Sequence, residues 1–208
     1  MKLRLHRFVQ MTQAEGPGIR ACLWVQGCPI RCPGCMQPQT WPETGGESVE
    51  VSDLASRILS GPEIEGVTFL GGEPFAQASA LAELALILQG HGLSIITFTG
   101  YTLEELQSAG REDWERLIAV TDLLIDGPYR ENLQDFSRPW TGSSNQRYHF
   151  LTDRYRNLED KLHTIENRLE IEVAPTGEIL INGMGPTDTL KALKKSMECP
   201  SARKSPNP

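Results

Sequence analysis

The sequence lacks a fourth cysteine beside its cysteine cluster, an excess of positive charge and any long apolar run. Five cysteines occur among 208 residues, and three of them, Cys28, Cys32 and Cys35, lie within eight residues of one another. An odd number of cysteines with this crowding does not fit a disulfide framework. It favours metal binding in a reducing compartment.

The charge balance and the hydropathy argue against two classes of partner. Twenty basic and 27 acidic residues give a net charge of -7, which opposes attraction to nucleic acid or anionic lipid. No segment approaches the roughly 18 apolar residues that span a bilayer, and residues 1–10 lack the apolar stretch of a signal peptide. We therefore expect a cytoplasmic protein that binds neither nucleic acid nor membrane.

Size and composition predict a single domain over residues 1–197, followed by a disordered, proline-containing tail over residues 198–208. A helical segment is expected over residues 152–169, where apolar residues recur at helical spacing. This stripe either packs on its own domain or forms a contact with a partner or a second copy. Its members are Tyr155, Leu158, Leu162, Ile165 and Leu169.

Apolar runs and turn residues predict strands that alternate with helices. After a first strand over 2–9, strands are expected at 21–25, 67–70, 93–98 and 122–125, with helices at 54–59, 78–88, 103–109 and 114–120 between them and a hairpin of 171–173 with 179–181 at the end. This order predicts an α/β fold with parallel strands joined by right-handed crossovers. Ligands of such folds bind beyond the carboxyl ends of the strands.

The cysteine cluster has the spacing C-x3-C-x2-C, which allows three thiolates to converge on one metal centre from a single loop. A closed zinc site and a plain electron-transfer [4Fe-4S] cluster both need four ligands, and no further Cys or His pair accompanies these three. Three thiolates on a cubane leave one iron open to a substrate or cofactor. An open cluster is therefore favoured, and structural zinc is the alternative.

Six motifs together resemble a known family. They are GPGIR at 16–20, VQGCPIRCPGCMQPQTW ending at Trp41, GGEP at 71–74, TGY at 99–101, DGPY at 126–129 and GSSNQR at 142–147. With them the chain resembles the radical S-adenosylmethionine superfamily, and within it the glycyl-radical activases, above all the anaerobic ribonucleotide reductase activating proteins. The resemblance implies a partial (β/α)6-type radical SAM barrel with mostly parallel strands.

The resemblance also implies the cofactors and the reaction. Cys28, Cys32 and Cys35 would hold a [4Fe-4S] cluster whose fourth iron is chelated by S-adenosylmethionine. Reductive cleavage would give a 5'-deoxyadenosyl radical that takes hydrogen from a glycine of a partner, here anaerobic ribonucleoside-triphosphate reductase. The electron would come from a flavodoxin or a ferredoxin-type protein.

In this superfamily a GGE motif meets the amino group of the cofactor, so the resemblance assigns that role to Gly71, Gly72 and Glu73. An ordinary turn at a strand end is the plain alternative. Arg20 would carry a charge role near the cluster or pair with an acidic neighbour.

Thr97, Thr99 and Asp126 are expected at neighbouring strand ends, where they would hold the ribose and carboxylate of the cofactor. For Asp126, the cap of the following turn is the alternative. Ser143 and Asn145 belong to a polar loop that matches the family pattern, and they are expected to contact the cofactor.

Two other functions remain open at this point. One is a radical S-adenosylmethionine enzyme that acts on a small molecule or peptide, similar to 7-carboxy-7-deazaguanine synthase or to peptide-modifying members. The other is a non-enzymatic iron-sulfur or zinc protein, which would not explain the GGEP motif. Cys22 is expected to pack in the core and Cys199 to be a free thiol of the tail.

Overall fold

The structure is a computed structural model that describes residues 1–173, 176, 179–186, 188–189, 192–193 and 195. The expected tail at 198–208, with Cys199, lies outside the described residues. The described strands are β1 Lys2–Thr12, β2 Arg20–Val25, β3 Glu47–Glu50, β4 Gly66–Gly71, β5 Ser94–Phe98, β6 Leu123–Asp126, β7 Arg147–Phe150, β8 Leu169–Val173 and β9 Ile179–Gly183. The α-helices are α1 Val51–Leu59, α2 Ala78–Gln89, α3 Leu103–Ser108 and α4 Glu112–Ala119.

Seven strands form one sheet in the order β3-β1-β2-β4-β5-β6-β7, and β8 pairs with β9 in a separate hairpin. The four central strands β2, β4, β5 and β6 are parallel, whereas β1, β3 and β7 pair antiparallel at the two sides. The predicted α/β class with a mostly parallel central sheet is confirmed. Among the described residues, four consecutive strands of the sheet are parallel, whereas the expected (β/α)6-type barrel would have six.

The helices cover one face of the sheet. Because successive side chains of a strand point to opposite faces, alternate residues of each strand enter this core. On β2 they are Ala21, Leu23 and Val25, which pack with Val67 and Phe69 of β4. Leucines and alanines of α1 and α2 complete a continuous apolar layer against them.

The opposite face is shared between a smaller apolar cluster and a cavity. The segment expected to be helical contains a 3-10 helix over Asp153–Thr164, and its side chains pack on β5 and β6. The first four members of the stripe therefore pack on their own domain, as the first of the two alternatives predicted, whereas Leu169 begins strand β8. Cys22 is fully buried beside Trp24 and Leu70, which confirms its packing role.

Arg20 lies at the beginning of β2, the end of the strand away from the cysteine loop. Its buried guanidinium donates to the Tyr155 hydroxyl at 2.7 Å, to Ser94 Oγ at 3.0 Å and to Thr68 Oγ1 at 2.9 Å. The Tyr155 hydroxyl in turn donates to Glu65 Oε1 at 2.8 Å. Arg20 thus joins the strand beginnings to the 3-10 helix, and the expected role near the cluster is wrong.

Within the described part of the chain, none of the helices combines the length and apolar character needed to traverse a bilayer.

Candidate active site

The cysteine loop begins where β2 ends, beside the carboxyl end of the parallel neighbour β4. Backbone hydrogen bonds fasten its first residues: Gly27 N donates to Thr40 O at 2.8 Å and Cys28 N donates to Trp41 O at 3.1 Å. Cys35 N donates to Cys32 O at 3.1 Å, which closes a tight turn between the second and third cysteines. The loop is therefore anchored at the sheet and folded back on itself.

The three cysteines line one cavity, and each is partly exposed. Burial raises the pKa of the Cys28 thiol, while the N–H groups of Arg31 and Ile30 point at its sulfur and favour the thiolate. Burial also raises the pKa of Cys32, opposed by the Tyr129 N–H. Charge repulsion from Cys35 also raises the pKa of both other thiols.

Gly71 and Gly72 allow the end of β4 to approach the cysteine loop. A Cβ on Gly71 would lie 2.5 Å from Trp24 Cα, and one on Gly72 would lie 2.2 Å from Gly27 O. Gly72 N also donates to Val25 O at 2.8 Å. The glycines are thus required by the protein's own backbone, and the same packing brings Cys28 next to the GGE turn.

Glu73 joins two strand ends. Its Oε1 accepts from Phe75 N and from the Thr99 hydroxyl, each at 2.9 Å, and its Oε2 accepts from Gly100 N at 2.9 Å. The carboxylate is 1% exposed, and burial raises its pKa to about 7 although these donors favour the charged form. Glu73 and Thr99 both line the cavity beside the cysteines. The structure therefore brings these two predicted residues together.

Thr97 and Asp126 do not reach the cavity. Thr97 shares its side of β5 with Ile95, faces the helices and contacts the Thr121 hydroxyl at 2.9 Å. The expectation that it holds the cofactor is wrong because the strand alternation turns it away from the cavity.

Asp126 is fully buried and its oxygens are engaged by protein groups. It accepts from Leu103 N at 2.7 Å and from Arg147 at 2.6 and 3.0 Å, and His149 Nε2 lies 2.8 Å away. Burial opposes its ionisation, but the hydrogen bonds from His149 and Arg147 prevail and lower its pKa to about 2. Asp126 therefore holds the beginning of α3, which precedes it in the chain, and not the following turn that the alternative named.

The polar loop after β6 contributes other residues than those expected. Ser143 is fully buried, and its Oγ accepts from Arg130 N at 3.2 Å. Asn145 donates to Pro128 O at 2.8 Å. Neither lines the cavity, so their expected contact with the cofactor is not supported. Gly142 and Gln146 of the same loop do line it.

Several residues that line the cavity belong to no sequence motif and were not predicted as site residues. Trp24, Leu70 and Phe98 form an apolar wall on neighbouring strands, and the sequence presents them as ordinary core residues. Each is next to, or an odd number of positions from, a strand residue that faces the helices, such as Leu23 or Phe69. This alternation along the strands is the signal that could have identified them.

Glu15 precedes the glycine turn and lines the same cavity. It is 4% exposed, and its Oε1 accepts from Gly183 N at 3.1 Å, whereas its Oε2 has no hydrogen-bond partner in the part of the chain that the structure describes. Burial raises the pKa of Glu15 to about 7.

The donor set fits an iron-sulfur cluster better than a zinc ion. Three thiols line a cavity whose wall is apolar, and the described residues contain no group of three His, Cys, Asp or Glu side chains able to hold a single metal ion. A polynuclear cluster spreads its ligands over several irons, so its thiolates need not meet at one atom. Glu73, Thr99 and Gln146 supply polar groups beside the thiols for a second cofactor.

Comparisons with known proteins agree with this arrangement. The family described as a 4Fe-4S single cluster domain matches residues 14–149. The chain is 32% identical over 157 residues to an anaerobic ribonucleoside-triphosphate reductase-activating protein of Salmonella typhi, covering 72% of this chain and 99% of that protein. A pyruvate formate-lyase-activating enzyme of Clostridium pasteurianum is 31% identical over 128 residues, covering 59% of this chain and 50% of that enzyme.

Among solved structures, QueE from Escherichia coli matches with a TM-score of 0.42 and 25% sequence identity, over 49% of this chain and 54% of that one.

Proposed function

We propose that this chain, which belongs to the 4Fe-4S single cluster domain family and to the anaerobic ribonucleoside-triphosphate reductase-activating proteins, activates a glycyl-radical enzyme. Membership gives the chain a [4Fe-4S] cluster and S-adenosylmethionine as cofactors and makes it a radical S-adenosylmethionine oxidoreductase. Its protein substrate is anaerobic ribonucleoside-triphosphate reductase, the enzyme named in its relatives.

One observation carries the proposal: three thiols, the GGE turn and an apolar wall border the same cavity. A structural metal site needs no cavity, whereas a site that exposes an open iron to a cofactor does. The combination supports catalysis rather than electron storage.

In this proposal Cys28, Cys32 and Cys35 hold the cluster. When bound, the cluster and S-adenosylmethionine would supply the one-electron radical chemistry by which a hydrogen atom is removed from the substrate glycine. Burial raises the pKa of the Cys28 and Cys32 thiols, and the N–H groups that point at these sulfurs oppose part of that rise.

The other residues position the cofactor and exclude water. Glu73 fixes the ends of β4 and β5 relative to each other through its three hydrogen bonds. Trp24, Leu70 and Phe98 present apolar surface to the space beside the cysteines, which restricts water and competing hydrogen donors there.

The electron donor and the location are further parts of the proposal. A flavodoxin or ferredoxin-type protein is expected to reduce the cluster, since a partly exposed cysteine loop gives such a donor access. Free clustered thiols suit the cytoplasm, where reductants keep cysteines unpaired.

The test uses anoxically reconstituted protein. It is mixed with a reductant, S-adenosylmethionine and the anaerobic ribonucleotide reductase of the same organism, and 5'-deoxyadenosine and the electron paramagnetic resonance spectrum are recorded. A glycyl-radical doublet on the reductase, absent with Cys28→Ser, supports the proposal. Deoxyadenosine without a doublet would indicate that the substrate is a small molecule or a peptide. The absence of both deoxyadenosine and the doublet would refute radical chemistry.

A further inference from the structure

The β8–β9 hairpin lies outside residues 14–149, which the family matches. Its base is anchored by Asn167, which donates to Phe136 O at 2.7 Å and to Arg138 O at 2.9 Å and accepts from Trp140 N at 2.8 Å. The hairpin therefore leaves the domain from a fixed point and is an addition to the matched part of the chain.

The far end of β9 is held against β1 and the residue Glu15. Gly183 N donates to Glu15 Oε1 at 3.1 Å. Asn182 donates to Thr12 Oγ1 at 2.7 Å, and its Oδ1 accepts from Arg7 at 3.1 Å. These polar bonds form a latch between the hairpin and the sheet.

A second point of attachment is Glu170 on β8. Its Oε1 accepts from Gln13 N at 2.8 Å, and its Oε2 accepts from the Thr12 hydroxyl. Ile171 and Val173 of the same strand are 45% and 64% exposed. The hairpin is thus attached mainly by polar bonds that water can replace, each with a net value of only about 1 kcal/mol, and such elements open most easily.

The latched hairpin forms part of the cavity wall. Gly183 and Met184 line the cavity that the cysteines also line, and the cavity volume is about 190 Å³. Pockets for cofactor-sized ligands usually measure roughly 300–1,000 Å³. A closed hairpin therefore leaves little room for a second cofactor together with a polypeptide segment.

We propose that the β8–β9 hairpin is a lid, latched by Asn182 and Glu15 and hinged beyond Asn167, that opens to admit the substrate segment of the partner protein. The lid rests on the proposed function for the identity of what enters. Opening removes Gly183 and Met184 from the wall. It leaves the cysteine loop and the Glu73 bonds in place, because among the described residues neither contacts the hairpin through a hydrogen bond.

The first experiment measures the latch itself. Amide hydrogen exchange of Gly183, whose N–H donates to Glu15, is followed in the cluster-loaded enzyme for the wild type, Asn182→Ala and the control Glu172→Gln, whose side chain is exposed on the same hairpin. Loss of the Asn182 bonds is expected to speed exchange about tenfold, which corresponds to about 1.4 kcal/mol, and Glu172→Gln is expected to leave it unchanged. Equal exchange in all three would overturn the latch.

The second experiment asks whether opening admits the partner. With limiting partner, Asn182→Ala is expected to raise the glycyl-radical rate several-fold through a lower KM for the partner, while deoxyadenosine release without partner changes less. Faster exchange with an unchanged KM would refute a lid. If Asn182→Ala does not fold, Glu170→Gln weakens the other attachment and is subject to the same criteria.

The two proposals fail differently. Hydrogen exchange reports the latch whether or not a glycyl radical forms. A wild-type enzyme that releases deoxyadenosine but produces no doublet would refute the proposed substrate, and the exchange of the Gly183 amide would still decide whether the hairpin opens.

Discussion

The two faces of the central sheet are equally buried but differ in what covers them. Leu23 on the helix side is 0% exposed and Trp24 on the other side is 3% exposed, although they are neighbours on β2. Leu23 packs against a continuous layer of helices, whereas Trp24 borders the cavity. Burial alone therefore does not separate a packed core from the wall of a site.

The difference follows from what each face has available to fill it. Crossover helices supply large apolar side chains to one face. Loops, a 3-10 helix and a hairpin cover the other, and they leave a space at the carboxyl ends of the strands. Changes on the cavity face should alter chemistry more than stability, and changes on the helix face should do the reverse.

The strongest contrast is expected from the cysteines. Cys28→Ser should lower bound iron and deoxyadenosine yield more than about 100-fold while changing the stability of the cluster-free protein by less than about 1 kcal/mol, because Cys28 is only partly buried. Iron and sulfide assays and urea unfolding under anoxia measure the two quantities. Cys22→Ala is the control and should retain the iron; equal loss in both variants would refute the ligand assignment.

A change on the helix face should show the opposite behaviour. Leu23→Ala removes a fully buried side chain and should cost about 3 kcal/mol of unfolding free energy, with deoxyadenosine yield per folded molecule retained. Urea unfolding of the cluster-free protein measures the first and anoxic turnover the second. A large loss of turnover in the folded fraction would contradict the separation of the two faces.

A substitution at Gly72 tests whether the close approach between the end of β4 and the cysteine loop is required. In Gly72→Ala the new Cβ would lie 2.2 Å from Gly27 O, so the loop must move, at a cost of about 2 kcal/mol. Iron content should fall with stability. Gly90→Ala, at an exposed helix end with φ of -59°, is the control and should change stability by less than about 0.5 kcal/mol. Similar losses in both would mean that the close approach is not required.

An effect that depends on pH is expected from the charge of Glu15. Its pKa of about 7 in the folded protein exceeds the ordinary value of 4.5, because burial outweighs the Gly183 hydrogen bond and the attraction of Arg7, and Glu170 raises it further. The folded state then holds a proton that the unfolded state has released, so this contribution to stability is full below pH 4.5 and is lost as the pH rises through about 7.

Glu15→Gln should remove this loss. Relative to the wild type, the variant should gain about 3 kcal/mol of unfolding free energy between pH 4.5 and pH 8, measured by urea unfolding of the cluster-free protein. A difference that does not depend on pH would show that Glu15 is ionised throughout the range.

Most of the parallel sheet could be predicted because strands β2, β4, β5 and β6 are apolar runs bounded by turn residues. The edge strands β3 and β7 could not, because the sequences ESVE and RYHF have no strong strand pattern and their pairing depends on neighbours already in place. Local propensity thus identifies the centre of the sheet and tertiary context identifies its edges.

The site divides in a similar way. The cysteines and the GGE turn are identified by fixed spacing, and the structure places them at one cavity. Thr97 was wrongly predicted to face the cavity. Thr97 and Ile95 are two residues apart on one strand and therefore share a face of the sheet, but the prediction placed Thr97 on a strand without assigning its face. The contacts of Ser143 and Asn145 depend on how their loop folds, which residue type alone does not determine.

The position of the β8–β9 hairpin, after the main sheet in the sequence, has a consequence for how the protein is synthesised and loaded with its cluster. β8 and β9 follow all seven strands of the main sheet in the chain, and Glu15 meets Gly183 across a sequence separation of 168 residues. Contacts of such separation form late, and a chain leaving the ribosome folds its earlier part first. The cavity therefore remains open on its hairpin side during synthesis, so iron-sulfur assembly can reach the three thiols before the last strand pair closes over them.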